Sequence, residues 1–335
     1  MISRVADHCF WLGRYLERAE NTARVLPVTR ALTLDGELTA RQAWRPVVVV
    51  SGEEARFVRA HGDAATEDGE LVQRTMTWER DNLTSIRASV DAVRENARSI
   101  REVLSLDVWQ TVNELWLWMN GDAAAEAWEA DREGFYRAIR DACLLVLGTV
   151  RNTMLHELPL DFVWLGVVLE RASQTARILD VRFHEVGAAQ LPAADTAGAE
   201  GAIDDAVWLA LLRACSGLEA FMQRFGGRVS GESVARFLIL EPMHPRAIRF
   251  LVREARERLS RIRPPERAEL PGARSWARLC ALDDHLAALA AHGAVDDVHA
   301  LLTHVVDEVA AACTEIGAEL LGYPPAAAPP SAQAQ

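Results

Sequence analysis

Apolar residues recur at intervals of three and four along most of the chain, the period of amphipathic helices. Leu12, Leu16, Ala19, Ala23 and Leu26 share one face of a first helix, and Ile86, Val90, Val93, Ala97, Ile100 and Leu104 repeat the pattern. Leu106–Gly121 and Phe135–Leu155 follow with the same period, and further helices are predicted over 162–186, 204–225, 230–240, 245–263, 273–291 and 295–321. Asn82, ahead of Leu83-Thr84-Ser85, has the character of an N-cap, and Pro245 that of a first helical residue. The segments 59–70 and 187–203 are rich in Gly, Ala and Asp and read as loops. Val47–Val50 is the one β-like run, and its alignment with the Trp208–Leu212 segment argues that it too is helical. The fold class expected is all-α, a multi-helix bundle.

The pattern also repeats on a larger scale. Residues 11–26 read WLGRYLERAENTARVL and residues 164–179 read WLGVVLERASQTARIL, identical at eleven of sixteen positions. Trp44 and Ser51-Gly52-Glu53 find counterparts in Trp208 and Ser216-Gly217-Leu218-Glu219. Ile86-Arg87 and Arg94-Glu95 correspond to Ile248-Arg249 and Arg256-Glu257, in the same order. The bundle is therefore expected to consist of two tandem duplicated units, 1–155 and 156–322, followed by a Pro/Ala-rich tail, 323–335, expected to be disordered.

Composition narrows the chemistry. The 335 residues carry a net charge of −12, which implies no basic surface for nucleic acid. No apolar run approaches the roughly 18 residues needed to cross a bilayer, and the opening residues lack a signal-peptide pattern, so a cytoplasmic location without a membrane partner is expected. Cys9, Cys143, Cys215, Cys280 and Cys313 are far apart without a CxxC pair, as for buried reduced thiols. Every basic residue other than histidine is arginine. That excludes a lysine Schiff base and the P-loop lysine, and leaves Arg, His, helix N-termini and backbone amides to hold any anion.

Arg14, Glu17, Arg18, Glu20, Asn21 and Arg24 lie opposite the apolar stripe of the first helix. Such a face is commonly a solvated lattice of ion pairs worth about 0.2–0.5 kcal/mol each. Comparison of the two copies sorts these residues. Glu17, Arg18, Thr22 and Arg24 match Glu170, Arg171, Thr175 and Arg177, and residues kept in both copies are most simply structural. Arg14, Tyr15, Glu20 and Asn21 face Val167, Val168, Ser173 and Gln174 instead. Arg80-Asp81-Asn82 corresponds to Pro242-Met243-His244, and Asn96 and Arg98 to Arg258 and Ser260. The candidate ligand-binding set is thus Arg14, Glu17, Glu20, Asn21, Arg80, Asp81, Asn82, Asn96 and Arg98, with Glu17 or Glu20 as the acid/base if the cluster is an active site. Arginine forks suit a carboxylate or phosphate, and Asp or Glu an amine.

Other motifs carry less. His285, His292 and His299 are spaced by seven, but Gly293 interrupts the helix that would align them, and no metal site is expected. His156-Glu157 lacks the second histidine of a zincin, and no GxSxG, GxGxxG or P-loop is present. The tryptophans fall mostly at helical spacing, as core residues would.

Ser3-Arg4-Val5-Ala6 with Trp11 through Arg24, then Glu79-Arg80-Asp81-Asn82, Arg94 through Arg98 and Leu169 through Asp180 together resemble the alpha-E family of bacterial proteins. Gly166-Val167 departs from the Gly-Arg usual in the family's second motif. The resemblance implies a companion of circularly permuted ATP-grasp proteins, often accompanied by transglutaminase-like proteases and a proteasome-like β-subunit. ATP-grasp enzymes activate a carboxylate as an acyl phosphate and pass it to an amine. The implied role is a helical partner that binds or positions an amino-acid or peptide-like substrate, with ATP and Mg on the ligase and no cofactor of its own. Two alternatives stay open: a stand-alone enzyme using the Arg/Glu/Asn cluster, and a purely structural scaffold.

Overall fold

In a computed structural model, the described residues are 3–34, 38–189, 197–226, 229–292, 295 and 297–324. The first half contains α1 (Ser3–Leu34), α2 (Ala40–Ser51), α3 (Glu54–His61), α4 (Gly69–Trp78), α5 (Ile86–Ser99), α6 (Leu106–Asn120), α7 (Asp122–Ala130) and α8 (Arg132–Thr153). The second contains α9 (Leu158–Ala189), α10 (Ala197–Ala214), α11 (Leu218–Phe225), α12 (Gly231–Leu240), α13 (Ile248–Ile262), α14 (Ala273–His292) and α15 (Val298–Ile316). No strand occurs among the described residues, and no helix there is long and apolar enough to cross a membrane.

The two 32-residue helices α1 and α9 cross at the centre. Around them, α5 and α8 pack on α1, while α13 and α15 pack on α9; α6 and α14 cover these layers from outside. The junction between the halves falls in the short α8–α9 connection, and one apolar core runs across it.

Glycine permits the crossing. A Cβ on Gly13 would fall well inside contact distance of the Val163 carbonyl oxygen and 3.1 Å from the Val167 nitrogen. A Cβ on Gly166 would strike the Phe10 carbonyl oxygen and lie 3.2 Å from the Arg14 nitrogen. The contact is reciprocal: the offset that carries Trp11 to Trp164 also carries Phe10 to Val163 and Gly13 to Gly166. Farther out, Gly69 lies against the indole of Trp44, and Gly231 against that of Trp208.

Local signals differ from expectation at several points. Ser85, not Asn82, caps α5, its Oγ accepting from the Ala88 amide at 3.1 Å. Asn82 instead closes the preceding turn, its Oδ1 accepting from the Thr84 amide at 3.0 Å. Pro245 precedes α13 by a turn, and the helix begins at Ile248 after Ala247. The segment 59–70 is largely helical, with the end of α3, a 3-10 turn at Asp63–Glu67, and Asp68 capping α4. Over 204–225 the helix breaks at Ser216, whose φ of +47° lies in the left-handed region. Residues 190–196 of the expected 187–203 loop lie outside the described residues, while its flanks belong to α9 and α10. Val47–Val50 lies within α2. All five cysteines are free, with Cys280 and Cys313 half-buried rather than buried. Tyr323, assigned from sequence to the tail, is held against α1, its hydroxyl accepting from Trp11 Nε1 at 2.6 Å and donating to Asp7. Residues 325–335 lie outside the described residues.

Gly13→Ala or Gly166→Ala should destabilise the fold by about 3 kcal/mol or more in denaturant titrations, because the obstacle is backbone and cannot rotate away. Gly148→Ala, on an exposed stretch of α8 with nothing within 4 Å of the added Cβ, should instead stabilise it by about 0.5–1 kcal/mol.

Candidate functional site

The polar side of α1 faces α9 rather than water. Glu17 and Glu20 are 0% exposed and Asn21 is 5% exposed. Arg18 grips Glu170 with two parallel bonds, Nε to Oε1 at 2.8 Å and an Nη to Oε2 at 3.1 Å. Arg171 grips Glu17 in the same way, at 2.8 and 2.6 Å. Each Glu-Arg dipeptide therefore clasps the other across the crossing. Next to them the Asn21 amide donates to Gln174 at 3.3 Å, completing a chain of like positions facing each other.

Beyond this shared frame the two ends differ. Arg14 adds a second guanidinium to Glu170 at 2.7 Å, where the equivalent Val167 cannot. Glu17 instead receives Arg246, from the turn before α13, at 3.0 Å, and Arg246 also reaches Glu20 at 2.7 Å. Arg24 pairs with Glu20 and donates to Ser216 Oγ. The strained φ of Ser216 thus sits where its hydroxyl meets a buried guanidinium. Burial alone would raise the pKa of Glu170, but Arg14 and Arg18 outweigh it and hold the carboxyl well below its ordinary range. Burial likewise opposes ionisation of Glu17, and Arg171 and Arg246 overcome it. Arg24 moves the other way: burial, with Arg246 beside it, lowers its pKa to about 9.

Arg246 was not singled out from sequence, although the comparison of copies holds a signal for it. On the register that aligns Ile86 with Ile248, Arg246 stands opposite Thr84, so it is an arginine that only the second half possesses. Arg177, grouped with the structural arginines, donates to the Val50 carbonyl at 3.4 Å and ties α9 to α2.

Of the candidate set, the structure brings Arg14, Glu17, Glu20 and Asn21 together along the crossing. The others lie elsewhere. Arg80 is 60% exposed and donates to Asn120 at 2.9 Å, and Asp81 beside it is exposed. Asn82 is buried in its own turn, its Nδ2 bonded to the Thr75 carbonyl at 3.2 Å. Asn96 links His8 of α1 at 2.8 Å to the α5 backbone, and Arg98 pairs with Glu95 in the open. The cavity beside Asn21, Arg18 and Gln174 is small, about 50 Å³, and mainly apolar. Among the described residues, no three His, Cys, Asp or Glu side chains are placed to hold a metal ion. His299 bonds Asp180, and His285 packs edge-on to His304.

A family defined as a predicted alpha-helical domain with a conserved ER motif matches residues 1–321. The chain belongs to the Alpha-E family. The Glu-Arg pairs at 17–18 and 170–171 answer to that description. Uncharacterized proteins of Mycobacterium bovis and of two strains of Mycobacterium tuberculosis are each 26% identical over 290 residues. Those matches cover 82% of this chain but 30% of each relative, so the chain spans about a third of their length. No solved structure matches.

In this Alpha-E chain the Glu-Arg clasp acts first as a fastener. Removing one partner of a buried pair strands the other charge, so Glu170→Ala should cost about 3–5 kcal/mol in denaturant titrations. The clasp also sets acid sensitivity. The depressed carboxyl contributes its full stability above the unfolded pKa of 4.5. Below that value the unfolded chain takes up protons while the folded one does not, so stability should fall progressively as pH drops. The unfolding midpoint of Glu170→Gln, followed from pH 7 to pH 3, should decline less steeply than that of the parent.

Proposed function

We propose that this chain is a non-catalytic helical partner of an ATP-grasp carboxylate–amine ligase, acting beside it in the cytoplasm. There it helps to bind or position an amino-acid or peptide-like substrate for amide-bond formation or modification, while ATP and Mg reside on the ligase. The identity of the partner rests on the family membership. The observation that carries the non-catalytic reading is the state of Glu17 and Glu20: both are 0% exposed and paired with arginines. A general base works best with a pKa near the operating pH and an open path to its substrate. Of the two candidate acid/bases of the stand-alone-enzyme reading, Glu17 and Glu20, both are buried and Glu17 is held below its ordinary range.

On this reading Arg14, Glu17, Glu20 and Asn21 shape the module from within. Asn82 holds the α4–α5 turn and Asn96 ties α5 to α1, while the exposed Arg80 and Asp81 at one end of α5 and Arg98 at the other meet the partner. A transglutaminase-like protease is a second candidate partner. We also read the two halves as copies of one ancestral unit, a reading supported by the equivalent contacts of Gly13 with Val163 and of Gly166 with Phe10, and of each Glu-Arg pair with the other.

Mixing the purified chain with the ATP-grasp protein should yield one co-eluting species on gel filtration, and ligase turnover should depend on its presence. Arg80→Glu should weaken the complex without lowering the melting temperature of the chain, since Arg80 is largely exposed. Separate elution together with unaltered ligase turnover would sink the proposal.

A further inference from the structure

A second cleft lies between α1, α8 and α10, on the far side of Arg24 from the Glu-Arg clasp. Its volume is about 420 Å³, within the range of roughly 300–1,000 Å³ typical of small-molecule sites. In a chain of net charge −12, the described residues of its walls gather Arg24, Arg137, Arg140 and Arg213 against a single carboxylate among them, Glu133. The floor between them is apolar, formed by Pro27 and Leu32 of α1 and Leu209 of α10.

Arg137, Arg140 and Arg213 are poorly neutralised. Arg137 meets Glu133 at 3.1 Å, but both side chains are more than half exposed, where such pairs contribute little. Among the described residues Arg140 pairs only with the neighbouring Asp141, at 3.4 Å. Arg213 pairs with no carboxylate among the described residues. Arg24 is the deepest, 10% exposed; it pairs with Glu20, but its buried Nε has no hydrogen-bond partner. The repulsion it feels from Arg246 and Arg140 contributes to its lowered pKa, and an anion in the cleft would relieve it.

We propose that this cleft binds a small soluble molecule bearing a phosphoryl group, its oxygens held by the arginine forks and its remainder lying on the apolar floor. A phosphoryl group offers three strong acceptor oxygens and close to two charges, enough to engage several guanidinium groups, whereas one carboxylate is satisfied by a single fork. The inference is separate from the ligase partnership, because it concerns the isolated chain and needs no second protein.

Calorimetric titration of the full chain with pyrophosphate, at constant ionic strength, provides the test. Saturable one-to-one binding is expected, tighter than that of citrate. Arg140→Ala and Arg213→Ala should each weaken it about tenfold or more, the effect of losing one charge-assisted hydrogen bond. The remote, exposed Arg101→Ala should leave it unchanged, and circular dichroism would establish that all three variants are folded. Absence of pyrophosphate binding, equal affinity in the two cleft variants and the parent, or tighter binding of citrate would overturn the assignment. So would binding confined to vesicles containing phosphatidic acid.

Discussion

The structure depends on how closely α1 and α9 approach each other. With glycine at both contact points the backbones touch, and the Glu-Arg step of each long helix then meets that of the other. The Glu-Arg dipeptides of the two helices form two bidentate pairs across that crossing. The clasp is therefore a result of the close approach, and the approach is in turn held by the clasp. Two adjacent fully buried carboxylates on one helix would otherwise be untenable, since isolated burial of an ionised carboxyl costs several kcal/mol or more.

Around this shared frame the charges are arranged unequally. Glu170 receives two arginines from α1 alone. Glu17 and Glu20 receive theirs from α9, from the turn before α13 and from α1 itself. One end of the crossing is thus closed by the two long helices, and the other needs a third segment to complete it. The third segment brings surplus positive charge, and Arg24 stands where that surplus reaches the cleft on the far side.

Much of this architecture was legible in the chain. The three-and-four periodicity predicted the helices because each has one apolar face against a single core. The repeated motif marked both long helices, since both carry the same glycine and the same Glu-Arg step, but it suggested pairing within each half, whereas the two Glu-Arg steps pair across the halves. Comparison of the two copies assigned Arg18, Arg24, Glu170, Arg171 and Arg177 to the framework, and each makes a contact between elements. What it missed was depth. Glu20 and Asn21 look on a helical wheel like solvated polar residues, and only the packing of α9 over that face buries them. The turn residues were also misjudged, because Asn82 and Ser85 are both competent caps and the choice between them depended on Thr75 and Thr84. Arg80, Asp81, Asn96 and Arg98 share an absence from the second half without sharing a location, and sequence comparison alone contains no distances.

Tyr323 adds a point about how such a module connects to other chains. Its hydroxyl joins Trp11 and Asp7, and Gly322 lies beside Ser3, with 3.3 Å between the Ser3 Cβ and a Cβ built on the glycine. The first turn of α1 and the last described turn of the chain therefore occupy one corner of the bundle. Polypeptide entering at that corner and polypeptide leaving from it would run side by side. A bundle wired in this way can be strung within a longer protein as a pendant, with both threads tied at one knot and the remainder of its surface free.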